Sequence, residues 1–152
     1  ARVVRKVRIP STIDTGAYEL RVSLTNPNDV NLANNSSSRE LTVYPVCATD
    51  EYEPNDNILQ ATALVSSSIT GTICFDDEDW FIVGAEAKSA SLKVSKSWGL
   101  LKIAAYDEQG TKIAESNTGS EVESIAFANA KYIRVKGATS ESFASYILKI
   151  GN

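Results

Sequence analysis

Apolar and polar positions alternate with a period of two along most of the chain, in runs of only four to nine residues. That period puts successive side chains on opposite faces of a strand, one toward a core and one toward water. Residues 17–25 show it most cleanly. Tyr18, Leu20, Val22 and Leu24 face one way, and Glu19, Arg21 and Ser23 the other. Further strands are predicted over 3–9, 39–44, 69–75, 80–83, 90–95, 100–106, 112–116, 122–128, 131–136 and 145–150. In the last of these Tyr146, Leu148 and Ile150 share a face. Trp80 and Phe81, in a strand, are expected in the core. One short stretch, 57–65, has room for a helical turn. Gly110 ends the turn that begins at Asp107, where a positive φ is expected. Short strands at this spacing, separated by turn formers, predict an all-β fold, an antiparallel β-sandwich.

The pattern breaks after residue 44. Pro45 cannot donate to a ladder, and the acidic coil CATDEYEPNDN follows. A boundary is placed there, giving modules 1–46 and 47–152. Three predicted strands precede it, fewer than a sandwich needs to close.

Composition narrows the functional classes. The chain has 152 residues and a net charge of −4, which disfavours nucleic acid as a partner. No apolar run approaches spanning length, so membrane insertion is not expected. Histidine is absent, which removes the usual base of serine and cysteine hydrolases. Asp14-Thr15-Gly16 matches the aspartic-protease tripeptide, but a single copy leading into an alternating strand reads as a turn. No catalytic residue and no enzymatic activity are expected.

Cys47 and Cys74 are the two cysteines. In a secreted chain they pair as one disulfide; in an intracellular chain they stay reduced, one buried as a small apolar residue. The disulfide is the expectation, and it would tether two acidic runs. One is Asp50-Glu51-Tyr52-Glu53-Pro54-Asn55-Asp56. The other is Asp76-Asp77-Glu78-Asp79, leading into Trp80-Phe81. Hard cations such as calcium take six to eight oxygen ligands, and carboxylates this dense repel one another unless a cation or water relieves them. Two solvated loops are the alternative reading.

From about residue 50 to 150 the chain resembles the bacterial pre-peptidase C-terminal domain, and is similar to the collagen-binding domains of clostridial collagenases. The matching pieces are Tyr52-Glu53-Pro54-Asn55-Asp56, Gly71-Thr72-Ile73, Asp77-Glu78-Asp79-Trp80-Phe81 and Ala105-Tyr106-Asp107-Glu108-Gln109-Gly110. Lys131-Tyr132-Ile133-Arg134-Val135 and Tyr146-Ile147-Leu148-Lys149-Ile150 complete the series. The resemblance implies a jelly-roll-like sandwich appended to secreted proteases. It also implies a Ca2+ site at Glu51, Glu53, Asn55, Asp56, Asp77 and Asp79, with Asp76 as an extra candidate. Residues 1–45 resemble the C-terminal part of a bacterial cell-adhesion-related Ig-like domain. That likeness is carried by Ile9-Pro10, Thr15-Gly16-Ala17-Tyr18-Glu19-Leu20, Asn34-Asn35 and Leu41-Thr42-Val43.

The functional expectation is a non-catalytic, calcium-stabilised accessory module of a secreted bacterial protein, a protease or other hydrolase. Its partner would be an insoluble extracellular substrate, either a protein fibre or a polysaccharide. Trp98, Tyr132 and Arg134 are the candidates for the ligand face. Arg134 and Lys136 make that strand basic where a collagen-binding face would be aromatic. The alternative is a structural or adhesive repeat of a cell-surface protein or extracellular filament, partnered by a neighbouring sandwich module or chain.

Overall fold

A computed structural model describes residues 13–25, 27–44, 46–140 and 142–152, the side chains at 32 and 96–98 excepted. The strand expected over 3–9 and the Ile9-Pro10 pair lie outside the described residues. Contacts divide the chain into two units, Ala1–Val46 and Cys47–Asn152.

In the first unit β1 (Gly16–Ser23) and β2 (Ser36–Val43) form an antiparallel hairpin. A 3₁₀ turn at Leu32–Asn34 shapes the connection, and the Leu24 amide donates to the Asn35 carbonyl at 2.8 Å. Tyr18 pairs with Leu41, Leu20 with Arg39 and Val22 with Ser37, so the face that the alternation sets is apolar along β1 and mixed along β2. Leu20 and Val22 on that face are 39% and 51% exposed.

Among the described residues the second unit is a sandwich of nine strands. They are β3 (Thr62–Ala63), β4 (Ser68–Ile73), β5 (Glu78–Ile82), β6 (Ser89–Trp98), β7 (Leu101–Tyr106), β8 (Lys112–Ser116), β9 (Val122–Ala126), β10 (Tyr132–Gly137) and β11 (Phe143–Gly151). One sheet has the order β3-β5-β10-β7-β8, the other β4-β11-β6-β9. Every pairing is antiparallel except that of β3 with β5, which is parallel. The fold is all-β, as the alternation predicts. The stretch 57–65 holds a 3₁₀ turn at Ile58–Gln60 and then β3. Gly110 has φ +77°.

Inward positions fill the space between the sheets. Ile73, Phe81, Leu92, Ile103, Ile133, Val135, Tyr146 and Leu148 are fully buried there. Phe81 is core as expected. Trp80 is buried elsewhere, because its neighbour Phe81 takes the inward position and strand parity turns Trp80 to the outer face. There it packs with Ala104 and Tyr106 under Ile58 and Ala61.

Tyr146 is the largest fully buried side chain among the described residues. It pairs in register with Gly71 on β4, and a Cβ at that glycine would collide with the tyrosine hydroxyl. Glycine therefore opens the lane through which the phenol crosses toward β5.

Candidate metal centre

Both acidic runs are pinned before any ligand is considered. The Cys47–Cys74 disulfide forms, with 5.8 Å between Cα atoms. Asp50 accepts from the Tyr52 amide at 3.0 Å with one carboxylate oxygen and from the Thr72 amide on β4 at 2.6 Å with the other. The Tyr52 ring stands edge-on to Phe81, centroids 5.6 Å apart. Asn55 lies along β5: its carbonyl accepts from the Trp80 amide at 2.9 Å, and its Nδ2 donates to the Trp80 carbonyl at 3.5 Å. Glu53 accepts from the Asn55 amide at 3.0 Å. The second run is a tight turn in which Asp76 takes φ +57° and Asp77 Oδ2 accepts from the Cys74 amide at 2.9 Å.

This pinning brings Glu53, Asp56 and Asp77 together, one carboxylate oxygen of each within 4.8 Å of the others. An open recess of about 460 Å³ lies beside them, bounded also by Thr49, Pro54, Cys74 and Phe75. Among the described residues three buried side-chain oxygens have no hydrogen-bond partner: Asn55 Oδ1, Asp77 Oδ1 and Asp79 Oδ1. Asn55 and Asp79 are wholly buried, and Asp77 is 9% exposed. Orphaned buried acceptors cost roughly 1–3 kcal/mol each, so three in one neighbourhood are costly unless a donor or a cation meets them.

The electrostatics agree with the geometry. Burial raises the Glu53 carboxyl, and Asp77, Asp56 and Asp50 push it further up. Asp77 is raised by burial and by Asp56, whose carboxylate is within hydrogen-bond reach. Burial pushes Asp79 up to about 8, against the bond it receives from Tyr146, with Asp77, Asp50 and Glu53 adding repulsion. The ion pairs formed among the described residues involve Glu78 and Glu115, not these groups.

Of the residues expected in the site, Glu53, Asp56 and Asp77 converge. Asn55 and Asp79 supply unpartnered oxygens. Glu51 is exposed and stands outside the converging trio; Asp76 is exposed on the recess wall. Asp50 was not among the candidates, although it fastens the first run to β4. Its place before the Glu-x-Glu spacing carried no signal of the cross-strand bond to Thr72. On the expected ligand face, Tyr132 is half-buried, and Arg134 lies over Trp80 and Tyr106 at 5.4 and 5.3 Å from the ring centroids. Trp98 is on β6, its side chain outside the described residues.

No family model matches the chain. No curated protein matches it. Solved structures similar in trace include the pre-peptidase C-terminal domain of collagenase from Bacillus anthracis. Its identity is 21% and its TM-score 0.45, covering 60% of this chain and 94% of that one. The periplasmic g-type lysozyme inhibitor PliG of Aeromonas hydrophila is 17% identical, TM-score 0.40, covering 55% and 84%. The SPBc2 prophage-derived protein YomS is 14% identical, TM-score 0.34, covering 58% and 98%. At these values the likenesses have no bearing on what the chain binds.

What the site can do follows from its donors. They are all oxygen, from carboxylates and one amide, with no histidine and both sulfurs spent in the disulfide. Such a set suits a hard divalent cation of flexible coordination, calcium before magnesium, and lacks the imidazole and thiolate ligands that zinc and copper prefer.

Proposed function

We propose that the chain is a non-catalytic, calcium-stabilised accessory module of a secreted bacterial protein, a protease or other hydrolase. The unpartnered oxygens of Asn55, Asp77 and Asp79, beside the Glu53–Asp56–Asp77 trio, carry the reading. Glu53, Asp56 and Asp77 would hold the ion, and the unpartnered oxygens of Asn55 and Asp79 are the further oxygens it would draw on. Bound there, calcium supplies the positive charge that offsets the mutual repulsion of these groups. The protein's own part is to fix the ligands: Asp50 staples the first run to β4, and the disulfide ties both runs together. Secretion fits the disulfide, which persists in oxidising compartments. No helix among the described residues is long and apolar enough to cross a membrane. The module would hold its parent on an insoluble extracellular substrate, a protein fibre or a polysaccharide.

One observation favours a second reading, that of a structural or adhesive repeat. Leu20, Val22 and Leu24 are exposed on the hairpin of the first unit, and a lone hairpin is marginal in water. A neighbouring module or chain would cover that face.

The test is thermal melting in calcium and in chelator, joined to sedimentation with insoluble collagen, chitin and cellulose. The accessory reading expects a higher melting temperature in calcium and retention on a matrix. Equal melts with no retention would sink it, and concentration-dependent self-association in their place would favour the repeat.

A further inference from the structure

The second unit is acidic overall, with nine basic and fifteen acidic side chains over 47–152, a net charge of −6. The outer face of its five-stranded sheet runs against that balance. Lys102, Lys112, Arg134 and Lys136 hold outward positions on β7, β8 and β10, with Glu78 and Glu115 as the acids among them. Lys136 stands in register between Glu78 and Lys102, and Arg134 between Trp80 and Ala104. Adjacent strands are about 4.8 Å apart, so these cations form a close array.

Arg134 is the organised member. Its guanidinium lies over the rings of Trp80 and Tyr106, which are themselves buried, and its contact with Glu78 is long, at 3.5 Å from one nitrogen. The rings fix the plane of the fork beneath the surface. Glu78 is engaged chiefly by Lys136 and by the Trp80 indole, which donates to it at 3.0 Å. Tyr132, half-buried, pairs in register with Tyr106 at the end of the same strip and presents an amphipathic ring.

β7 and β10 are interior strands of the sheet. Their backbone donors face neighbouring strands, so a partner laid on this face beside Ile58 and Ala61, which cover Trp80 and Tyr106, meets the strands through their side chains. A face of that kind reads repeating negative charge, whereas recognition of a peptide by strand addition needs an open edge. We propose that this face docks a polyanionic glycan, a sugar chain carrying carboxylates or sulfates at regular intervals. Charge complementarity and the planar Arg134 fork, which matches both anions, select it. The proposal rests on the accessory-module reading, for which it names the class of matrix.

The experiment is retention of the whole chain on a sulfated glycan of the heparin type and on polygalacturonate. Polyglutamate, cellulose and collagen fibre run beside them. Retention on either charged glycan is expected, weakening as salt shortens the Debye length from about 10 Å at 0.1 M. Lys102→Glu with Lys112→Glu should weaken it about tenfold or more. Lys93→Glu with Lys149→Glu makes the same change of charge on the opposite outer face and should alter it by less than about twofold. The calcium-induced melting shift, kept in both double variants, reports that each is folded. Equal loss in the two variants would show dependence on net charge and overturn the proposal. Polyglutamate held as tightly as the glycans would overturn it too. Retention on cellulose or collagen fibre with none on the charged glycans would overturn it while leaving the accessory reading standing.

Discussion

The Tyr146 hydroxyl on β11 donates a hydrogen bond to Asp79 Oδ2 on β5, across the space between the two sheets. The other oxygen of the same carboxylate, Oδ1, is buried and unpartnered. One carboxylate thus links the core to the acidic runs. Burial and the Asp79 carboxylate together raise the Tyr146 hydroxyl well above its ordinary value, so it stays a donor at any physiological pH.

Tyr146→Phe removes that donor and leaves the second Asp79 oxygen bare. A loss of about 1–3 kcal/mol is expected in chelator, read by urea denaturation. Gly71→Ala should also destabilise, because the added methyl meets the phenol. Tyr132→Phe, on the outer face, should stay within about 0.5 kcal/mol of the parent. If Tyr146→Phe matched Tyr132→Phe, the cross-sheet bond would have no energetic role.

Cys47 and Cys74 are 27 residues apart, and closing that loop stabilises by roughly 3–4 kcal/mol on the chain-entropy account. Reduction should lower the melting temperature and weaken calcium binding together, because the bridge brings the two runs to one place. Mass spectrometry of the unreduced chain should fall about 2 Da below the reduced form. Two alkylatable thiols in the native protein would contradict the bridge.

Glu123 is sealed by its own loop, with 1% exposure, although β9 is an edge strand of its sheet. Its Oε1 accepts from the Thr118 amide at 2.8 Å, the Thr118 hydroxyl at 2.9 Å, and the Gly119 and Ser120 amides at 3.1 and 3.3 Å. Its Oε2 accepts from the Ser116 hydroxyl. Burial alone would raise this carboxyl, but the bonds from Ser116, Thr118 and Ser120 outweigh it, and the net shift is downward. A depressed carboxyl stabilises fully above its unfolded value, about 4.3, and the contribution fades as pH falls through the lower folded value. Glu123→Gln should therefore cost about 1–3 kcal/mol near neutrality. The gap to the parent should narrow in acid melts below about pH 4.3. A gap independent of pH would show that the charge of Glu123 is not what holds the loop.

The sequence made the sandwich legible because most strands keep strict alternation. Tyr146 and Leu148 could be placed inward by counting in twos. Two things resisted that count. β3 is two residues long and pairs in parallel, too short to leave a pattern. Glu123 looks like a solvent-facing charge, yet it shares parity with buried Ile125. Ser116, Thr118 and Ser120 just upstream were the available signal of its donors. In the acidic runs composition gave the donor types but not their depth. Asp77 and Asp79 look alike in sequence; only the pairing of Asp79 with Val135 on β10 shows that it faces the core. Whether Glu51 reaches inward depended on a local backbone path that charge density does not encode.

The most direct measurement of the central claim is calorimetric titration of the chelator-treated chain with calcium. Saturable binding to the folded chain is predicted. At 100 times the dissociation constant it should stabilise by about 2.7 kcal/mol. Magnesium should do less, because it parts reluctantly from its water. Asp79→Asn, which still accepts from Tyr146, should remove most of the calcium heat while melting in chelator close to the parent. Asp107→Ala should bind as the parent does, since Asp107 serves its own turn by accepting from the Gln109 and Thr111 amides. No heat and no shift in melting up to millimolar calcium would contradict the account.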